Sequence, residues 1–364
     1  MNDMTIKSNI KKYTVSIESD FLFLDKLLEM KNTVYVIDKN VYESYGSYFA
    51  SDIENLLVVE ATEENKTIET ALKICERLTE LSSKRNSVLV SIGGGIIQDI
   101  TGFVSNITYR GINWIYVPTT VLAACDSCIG GKTSLNYKKY KNLLGTFYPP
   151  SEIKICPEFF KTLSKRDYYS GLGEVIKFNI MKGNYGLEAI ENDIDKILNG
   201  DFSVIKHYLL SSLEFKKAFI EKDEFDNGER IKLNFAHTFG HAIEVITNYE
   251  IPHGTSVAIG MIMANSISCR RGLISEESIQ RMEIVLLRVI DINLKLMQNC
   301  NISDYISVMR KDKKQTDNNL TAVLITNFEK KAELTVIHDL KIEEIDYALN
   351  YFMEIYRKHE NKTF

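Results

Sequence analysis

Ser87-Val-Leu-Val-Ser-Ile92 runs without a break into Gly93-Gly94-Gly95, and this junction decides the fold. A short β-branched run reads as a buried strand, and three glycines at its end let a backbone approach a phosphate with its N–H groups forward. The flanking chain repeats the pattern. Upstream come Thr33-Val-Tyr-Val-Ile-Asp38, Leu56-Leu-Val-Val-Glu-Ala61 and a helical stretch near Thr67–Ser82; downstream, Trp114-Ile-Tyr-Val117 ends at Pro118-Thr119-Thr120. Strand, helix, strand and a glycine turn at a strand's C-terminal end predict an open α/β sheet with its ligand at that edge. Asp38 closes the first strand, where a carboxylate can accept a ribose hydroxyl.

The character changes after residue 155, just past Pro149-Pro150. From Pro157 onward most segments have helical spacing, as in Tyr347-Ala-Leu-Asn-Tyr-Phe-Met-Glu-Ile-Tyr356, and Leu320–Thr326 reads as an isolated strand. The expected organisation is an α/β dinucleotide-binding domain over 1–155 and a mainly α-helical, metal- and substrate-binding domain over 156–364.

Composition bounds the partners. The chain has 364 residues, 45% hydrophobic and 26% charged, an ordinary balance for a soluble protein of about two domains. Its net charge of −5 excludes a basic nucleic-acid coat while leaving room for a local cationic pocket. No apolar run reaches the ~20 residues that span a bilayer, and the opening MNDMTIKSNIKKY lacks the core of a secretion signal, so no membrane contact and a cytoplasmic location are expected. Six cysteines are too sparse for a disulfide scaffold. Cys125-x-x-Cys128, with no second pair and an apolar flank, reads as two small buried residues.

The most informative segment is Asn234-Phe-Ala-His237-Thr-Phe-Gly-His241, followed by Pro252-His253-Gly254. Imidazoles at i and i+4 share a helix face and can share a metal, or divide into a ligand and an acid–base group; a set of satisfied core or surface histidines has the same spacing. The glutamate of H-E-x-x-H is absent, which argues against a zinc protease. Glu174, in Ser170-Gly-Leu-Gly-Glu174-Val-Ile-Lys177, is a candidate third ligand, and two histidines with one carboxylate leave an open catalytic position. Lys132, in Asp126-Ser-Cys-Ile-Gly-Gly-Lys132, and Lys141-Asn142 stand among small polar residues, and with Lys216 and Arg230 they suit an anionic substrate.

Taken together, Gly93-Gly-Gly-Ile-Ile-Gln-Asp99, Tyr109-Arg110-Gly111, Pro118-Thr-Thr120, Asp126 to Lys132, Lys141-Asn142, Gly173-Glu174-Val-Ile-Lys177 and Asn234 to His241 with His253 resemble the 3-dehydroquinate synthase family of sugar-phosphate cyclases over nearly the whole chain. The resemblance implies that Glu174, His237 and His253 hold a catalytic Zn2+ or Co2+. It implies an NAD site at Gly93, Gly94, Gly95, Asp99, Thr119 and Thr120, with Asp38, Asn40, Glu63, Lys66 and Thr162, and Lys132 and Lys141 at its border. Asp126, Lys132, Lys141, Asn142, Lys177, Lys216, Arg230, Asn234 and His241 fall on the substrate-facing shell, with His241, Lys177 and Asp126 as the catalytic candidates. Arg110 falls where the family reaches into a neighbouring subunit, which implies a homodimer; Lys313 or Lys314 matches a further anion contact.

The reaction so implied converts 3-deoxy-D-arabino-heptulosonate 7-phosphate to 3-dehydroquinate and phosphate. Oxidation at C5 by NAD acidifies the adjacent C–H, phosphate is eliminated, the hydride returns, and ring opening with an intramolecular aldol closes the carbocycle. Gln98, Ala236 and Tyr140 stand where the family usually has glycine. These departures leave open a sibling cyclase acting on an amino-substituted or other heptulose phosphate. A metal-dependent polyol dehydrogenase would have little use for the cationic shell, and a nucleotide-binding regulator with a decayed site would not keep the metal and anion residues.

Overall fold

The computed structural model describes residues 3–49, 54–138, 140–298, 301–311 and 320–363. They form two compact units, Met1–Ser164 with Lys217–Phe225, and Lys165–Lys216 with Asp226–Phe364. The first unit thus extends past residue 155 and recruits a later segment. Phe159 explains the extension, because its ring packs 4.7 Å from Phe21 and 5.1 Å from Tyr45. The recruited segment is held by carboxylates: Lys7 N donates to Glu221 at 2.9 Å, and Asn9 N and the Ser8 hydroxyl donate to Glu224, the former at 2.7 Å.

The strands of the first unit are β1 (Met4–Ile6), β2 (Tyr13–Ile17), β3 (Thr33–Asp38), β4 (Leu56–Val59), β5 (Val88–Gly93), β6 (Asn113–Pro118), β7 (Lys132–Tyr137), β8 (Tyr140–Phe147) and β9 (Glu152–Ile155). Seven of them make one sheet in the order β1-β2-β9-β6-β5-β3-β4, parallel except for β1 against β2, and β7 and β8 pair as a separate antiparallel hairpin. Burial of β5 from Leu89 to Gly93 explains its continuous apolar run, because a central parallel strand is covered on both faces. From β3 the chain passes to β4 on one side and then to β5 on the other. The strand order therefore reverses between the C-terminal ends of β3 and β5, the position where open α/β sheets receive ligands. Helices α1 (Leu22–Leu28), α2 (Lys39–Tyr45), α3 (Ile68–Glu80) and α4 (Gly95–Ile107) fill the crossovers. Thr67 caps α3 by accepting from Thr70 N, and Ala71, Ile74 and Leu78 form its buried stripe.

The second unit is built from α5 (Lys165–Met181), α6 (Asn184–Leu198), most of α7 (Phe202–Ile220), α8 (His237–Ile246), α9 (His253–Arg270), α10 (Glu276–Leu287), α11 (Lys295–Gln298), α12 (Ile302–Arg310) and α13 (Ile342–Thr363). The stretch expected as an isolated strand is half of a hairpin, β10 (Leu320–Phe328) against β11 (Ala332–Leu340). The partner was hidden because only Leu334 and Leu340 of β11 are buried, so it carries no apolar run. Helix α9 is buried from Gly254 to Ser268 and forms the centre of the unit. Helices α5 and α9 meet backbone to backbone: a Cβ on Gly173 would lie 2.1 Å from Gly254 O, and one on Gly254 would lie 1.7 Å from Ser170 O. Only glycine permits that approach, which brings Glu174 and His253 to one place. Among the described residues no helix is long and apolar enough to cross a membrane.

Candidate active site

In the second unit, α5 supplies Glu174 and Lys177, α8 supplies His237 and His241 and α9 opens on His253. Glu174 is fully buried, and its Oε1 lies 3.4 Å from His237 Nε2 and 3.3 Å from His253 Nε2. The three residues can each offer a ligand atom within 4.8 Å of the others. The far nitrogens define the rings' tautomers. His237 Nδ1 is 3.0 Å from Phe235 O and His253 Nδ1 is 2.6 Å from Glu244 Oε1. With Nδ1–H of each ring donating away from the centre, Nε2 is the nitrogen that turns a lone pair toward it once its own proton is displaced. One carboxylate oxygen and two imidazole nitrogens are a donor set for Zn2+ or Co2+ with an open position. Burial opposes a charge on His253, but Glu244 and Glu174 outweigh it and push the imidazole up to about 10. The same two negative charges favour a divalent cation, so the residues fit the metal.

Lys177 is 1% exposed, 2.5 Å from Glu174 Oε2, and donates to Leu233 O at 3.2 Å. The His241 ring lies 5.4 Å from His237 and 5.9 Å from His253. Lys216 and Arg230 are buried in the same unit, and Asn234 ends the 3-10 turn Glu229–Asn234 that leads into α8. Ala236, the residue before His237, has φ +68. That left-handed conformation favours glycine, which gives the physical content of the expected glycine there.

The first unit presents two clusters. Gly93 and Gly94 lie between the ends of β3 and β6: a Cβ on Gly93 would lie 2.7 Å from Ile97 and 3.2 Å from Asp38 Cβ, and one on Gly94 would lie 3.3 Å from Thr120. Thr119 N donates to Gly93 O at 3.1 Å. Helix α4 begins at Gly95, so its free N–H groups emerge where the glycines keep space clear. Asp38 accepts from Asn40 N at 3.0 Å and caps α2, and burial raises its carboxyl above the usual range.

The second cluster ties α4 to the β7–β8 hairpin. Lys66, 5% exposed, bridges Asp99 at 2.5 Å and Asn142 Oδ1 at 2.7 Å. Ser134 donates to Asp99 from its N and its hydroxyl, both at 3.0 Å. Asn136 donates to Glu63 at 3.0 Å and accepts from Asn142 N at 2.9 Å, and Lys141 is 3.3 Å from Glu63. Burial would raise the Glu63 carboxyl, but Asn136, Lys66 and Lys141 together hold it below its usual range. Burial raises Asp99, against the pull of Lys66 and Ser134.

Asp126 sits in the wide π-helical turn Ala123–Ser127. Gln98 fastens the end of that turn, donating to Ser127 O and accepting from Ser127 Oγ, each at 2.7 Å. Tyr140, another departure from glycine, is 56% exposed. Cys125 and Cys128 are buried free thiols donating to Leu122 O and Ala124 O.

Other expected residues stand at exposed positions. Arg110 is exposed on its own 3-10 turn, Lys132 is exposed at the start of β7, and Asn40 is exposed on α2. Thr162 is exposed and donates to the Tyr45 hydroxyl at 3.2 Å. Lys313 and Lys314 lie outside the described residues. Reasoning from sequence missed Ser134, Asn136 and Glu244. The two neutral residues give no signal, but Glu244 does, because His237, His241 and Glu244 at i, i+4 and i+7 share one helix face.

Comparison with known proteins follows this division of the chain. Residues 56–170 match the family model described as 3-dehydroquinate synthase N-terminal, and residues 171–315 the one described as 3-dehydroquinate synthase C-terminal. The 3-dehydroquinate synthase of Dictyoglomus thermophilum is 33% identical over 353 residues, covering 96% of this chain and 98% of that protein. That of Clostridium tetani is 34% identical over 350 residues, covering 96% and 88%. Among solved structures, 2-deoxy-scyllo-inosose synthase complexed with carbaglucose-6-phosphate, NAD+ and Co2+ superposes with a TM-score of 0.80 at 24% identity, covering 96% of this chain and 99% of that one.

Proposed function

The chain belongs to the 3-dehydroquinate synthase family, and from that premise we propose that it converts 3-deoxy-D-arabino-heptulosonate 7-phosphate to 3-dehydroquinate and inorganic phosphate. The reading includes NAD used catalytically and a Zn2+ or Co2+ ion. The observation that carries it is the convergence of His237 and His253 on the fully buried Glu174 beside the Lys177 ammonium.

When bound, the ion supplies charge stabilisation to a substrate alkoxide and NAD supplies a reversible hydride acceptor. Glu174, His237 and His253 hold the ion. Lys177, fixed between Glu174 and Leu233 O, donates to a substrate hydroxyl oxygen. His241, on the same helix face as His237, accepts and returns a hydroxyl proton. Asp126 lies in a turn fastened by Gln98, and its carboxylate serves as a further proton acceptor for the substrate. The N–H groups at the start of α4 receive the dinucleotide's pyrophosphate and Asp38 its ribose. Lys132, Lys216 and Arg230 neutralise the substrate's carboxylate and phosphate, and Asn142 and Asn234 hydrogen-bond to it. Glu63, Lys66, Asp99 and Lys141 keep the hairpin side of the NAD site in place.

The protein works in the cytoplasm as a homodimer on this reading. Exposed Arg110, held at φ +63 before Gly111, is the group that reaches a second copy. Light scattering tests the dimer. The activity is tested by incubating the protein with NAD+, Zn2+ and a panel of heptulose phosphates, followed by mass spectrometry. A carbocyclic product from the carboxylated substrate is the expected result. NADH accumulation from simple polyols with no carbocycle would overturn it, and a carbocycle only from another heptulose phosphate would reassign the substrate.

A further inference from the structure

The two histidines of the centre are held from behind in unlike ways. Behind His237 stands a neutral backbone carbonyl, Phe235 O at 3.0 Å, whereas behind His253 stands the carboxylate of Glu244 at 2.6 Å. Glu244 is 14% exposed at its side chain and lies on α8, while His253 is the first residue of α9. We propose that Glu244 is a positioning residue that locks His253 Nδ1–H and thereby fixes and strengthens Nε2 as a metal donor. This rests on the metal-dependent reading above.

The geometry gives Glu244 work that the rest of the centre does not do. His253 has side-chain exposure of 30%, against 10% for His237 and none for Glu174, so packing holds it least. It also begins its helix, where no preceding turn restrains the ring. A short charge-assisted hydrogen bond supplies the missing restraint and selects the tautomer with Nε2 unprotonated. It also raises the donor strength of Nε2, because negative charge is shared into the ring. His241 and His253 can each offer a ligand atom within 4.8 Å of one from Glu244, so the carboxylate also borders the acid–base histidine without standing among the three metal donors.

The test is direct metal affinity. Metal-free full-length protein is titrated with Zn2+ against a chromophoric chelator, for wild type, Glu244→Ala, Glu244→Gln and His237→Ala. Glu244→Ala is expected to bind Zn2+ about 10–100-fold more weakly. Glu244→Gln keeps an acceptor for Nδ1–H and loses only the charge, so it falls between the two. The Co2+-loaded proteins give a second readout, with Glu244→Ala shifting the visible bands of the ion. Glu244→Ala or Glu244→Gln binding Zn2+ as tightly as wild type overturns the assignment. If Glu244→Ala does not fold, the glutamine variant alone decides. Should wild type bind no more tightly than His237→Ala, the metal-centre reading fails instead.

Discussion

The two units hold charge by opposite means. In the second, Glu174 is fully buried and its charge is answered at short range by Lys177 and two imidazoles, with helices packed through glycine contacts behind them. In the first, the charges of Glu63, Lys66, Asp99 and Lys141 spread through a chain of neutral partners, Ser134, Asn136 and Asn142, along a partly exposed hairpin. A compact buried cluster has strict geometry and no spare partner. A distributed network can lose a member and keep its shape. The comparison predicts a hierarchy of mutational effects.

The largest effect belongs to the buried cluster. Glu174→Gln and His237→Ala should each lower turnover about 10³-fold or more while circular dichroism stays unchanged; activity above a tenth of wild type would erase the proposed contrast. Arg230→Ala, removing a 3%-exposed cation, should raise KM for the carboxylated substrate by about 10–100-fold with a smaller change in kcat, measured by phosphate release.

Lys66→Met tests the distributed network. NAD affinity, read by NADH fluorescence, should weaken by about tenfold, the equivalent of one charged hydrogen bond. The variant also leaves Asp99 without its cation, at a cost of about 3 kcal/mol. The folded Asp99 carboxyl already titrates above its unfolded value through burial, so the folded state takes up its proton more readily. In the variant, stability should therefore recover as pH falls through that titration and decline as pH rises through it, as thermal melts over a series of falling pH values would show. A pH-independent stability difference would mean that Asp99 is not the group left behind.

The smallest effect sharpens the comparison within the second unit. Ala236 adopts φ +68 one residue before His237. Ala236→Gly relieves that strain but loosens the unfolded chain, so a net gain of about 1 kcal/mol or less is expected, a Tm rise of ~2–4 °C at most. A lower Tm would show that the alanine methyl packs more favourably than its backbone is strained.

Legibility in the sequence follows the same divide. The sheet was readable because β5 and β6 are continuous apolar runs that end in glycine or proline, and the convergence of Glu174, His237 and His253 was readable because histidines are few and their spacing matches a helix turn. The hairpin strand β11 was not readable, since a mostly exposed strand has no apolar period. Ser134 and Asn136 were invisible because neutral polar residues occur everywhere and act here only through contacts that the folded hairpin creates. The first unit's recruitment of a later segment was hidden for a related reason: Glu221 and Glu224 look like surface charges until Lys7 folds against the first and Ser8 and Asn9 against the second.

Simultaneous measurement of inorganic phosphate and absorbance at the NADH band, with substrate in large excess over NAD+, tests the central claim most directly. The account predicts many equivalents of phosphate per NAD+, no sustained NADH, loss of phosphate release after chelation and its return with Zn2+ or Co2+. NADH rising in step with turnover, or phosphate release that survives removal of the metal, would contradict it.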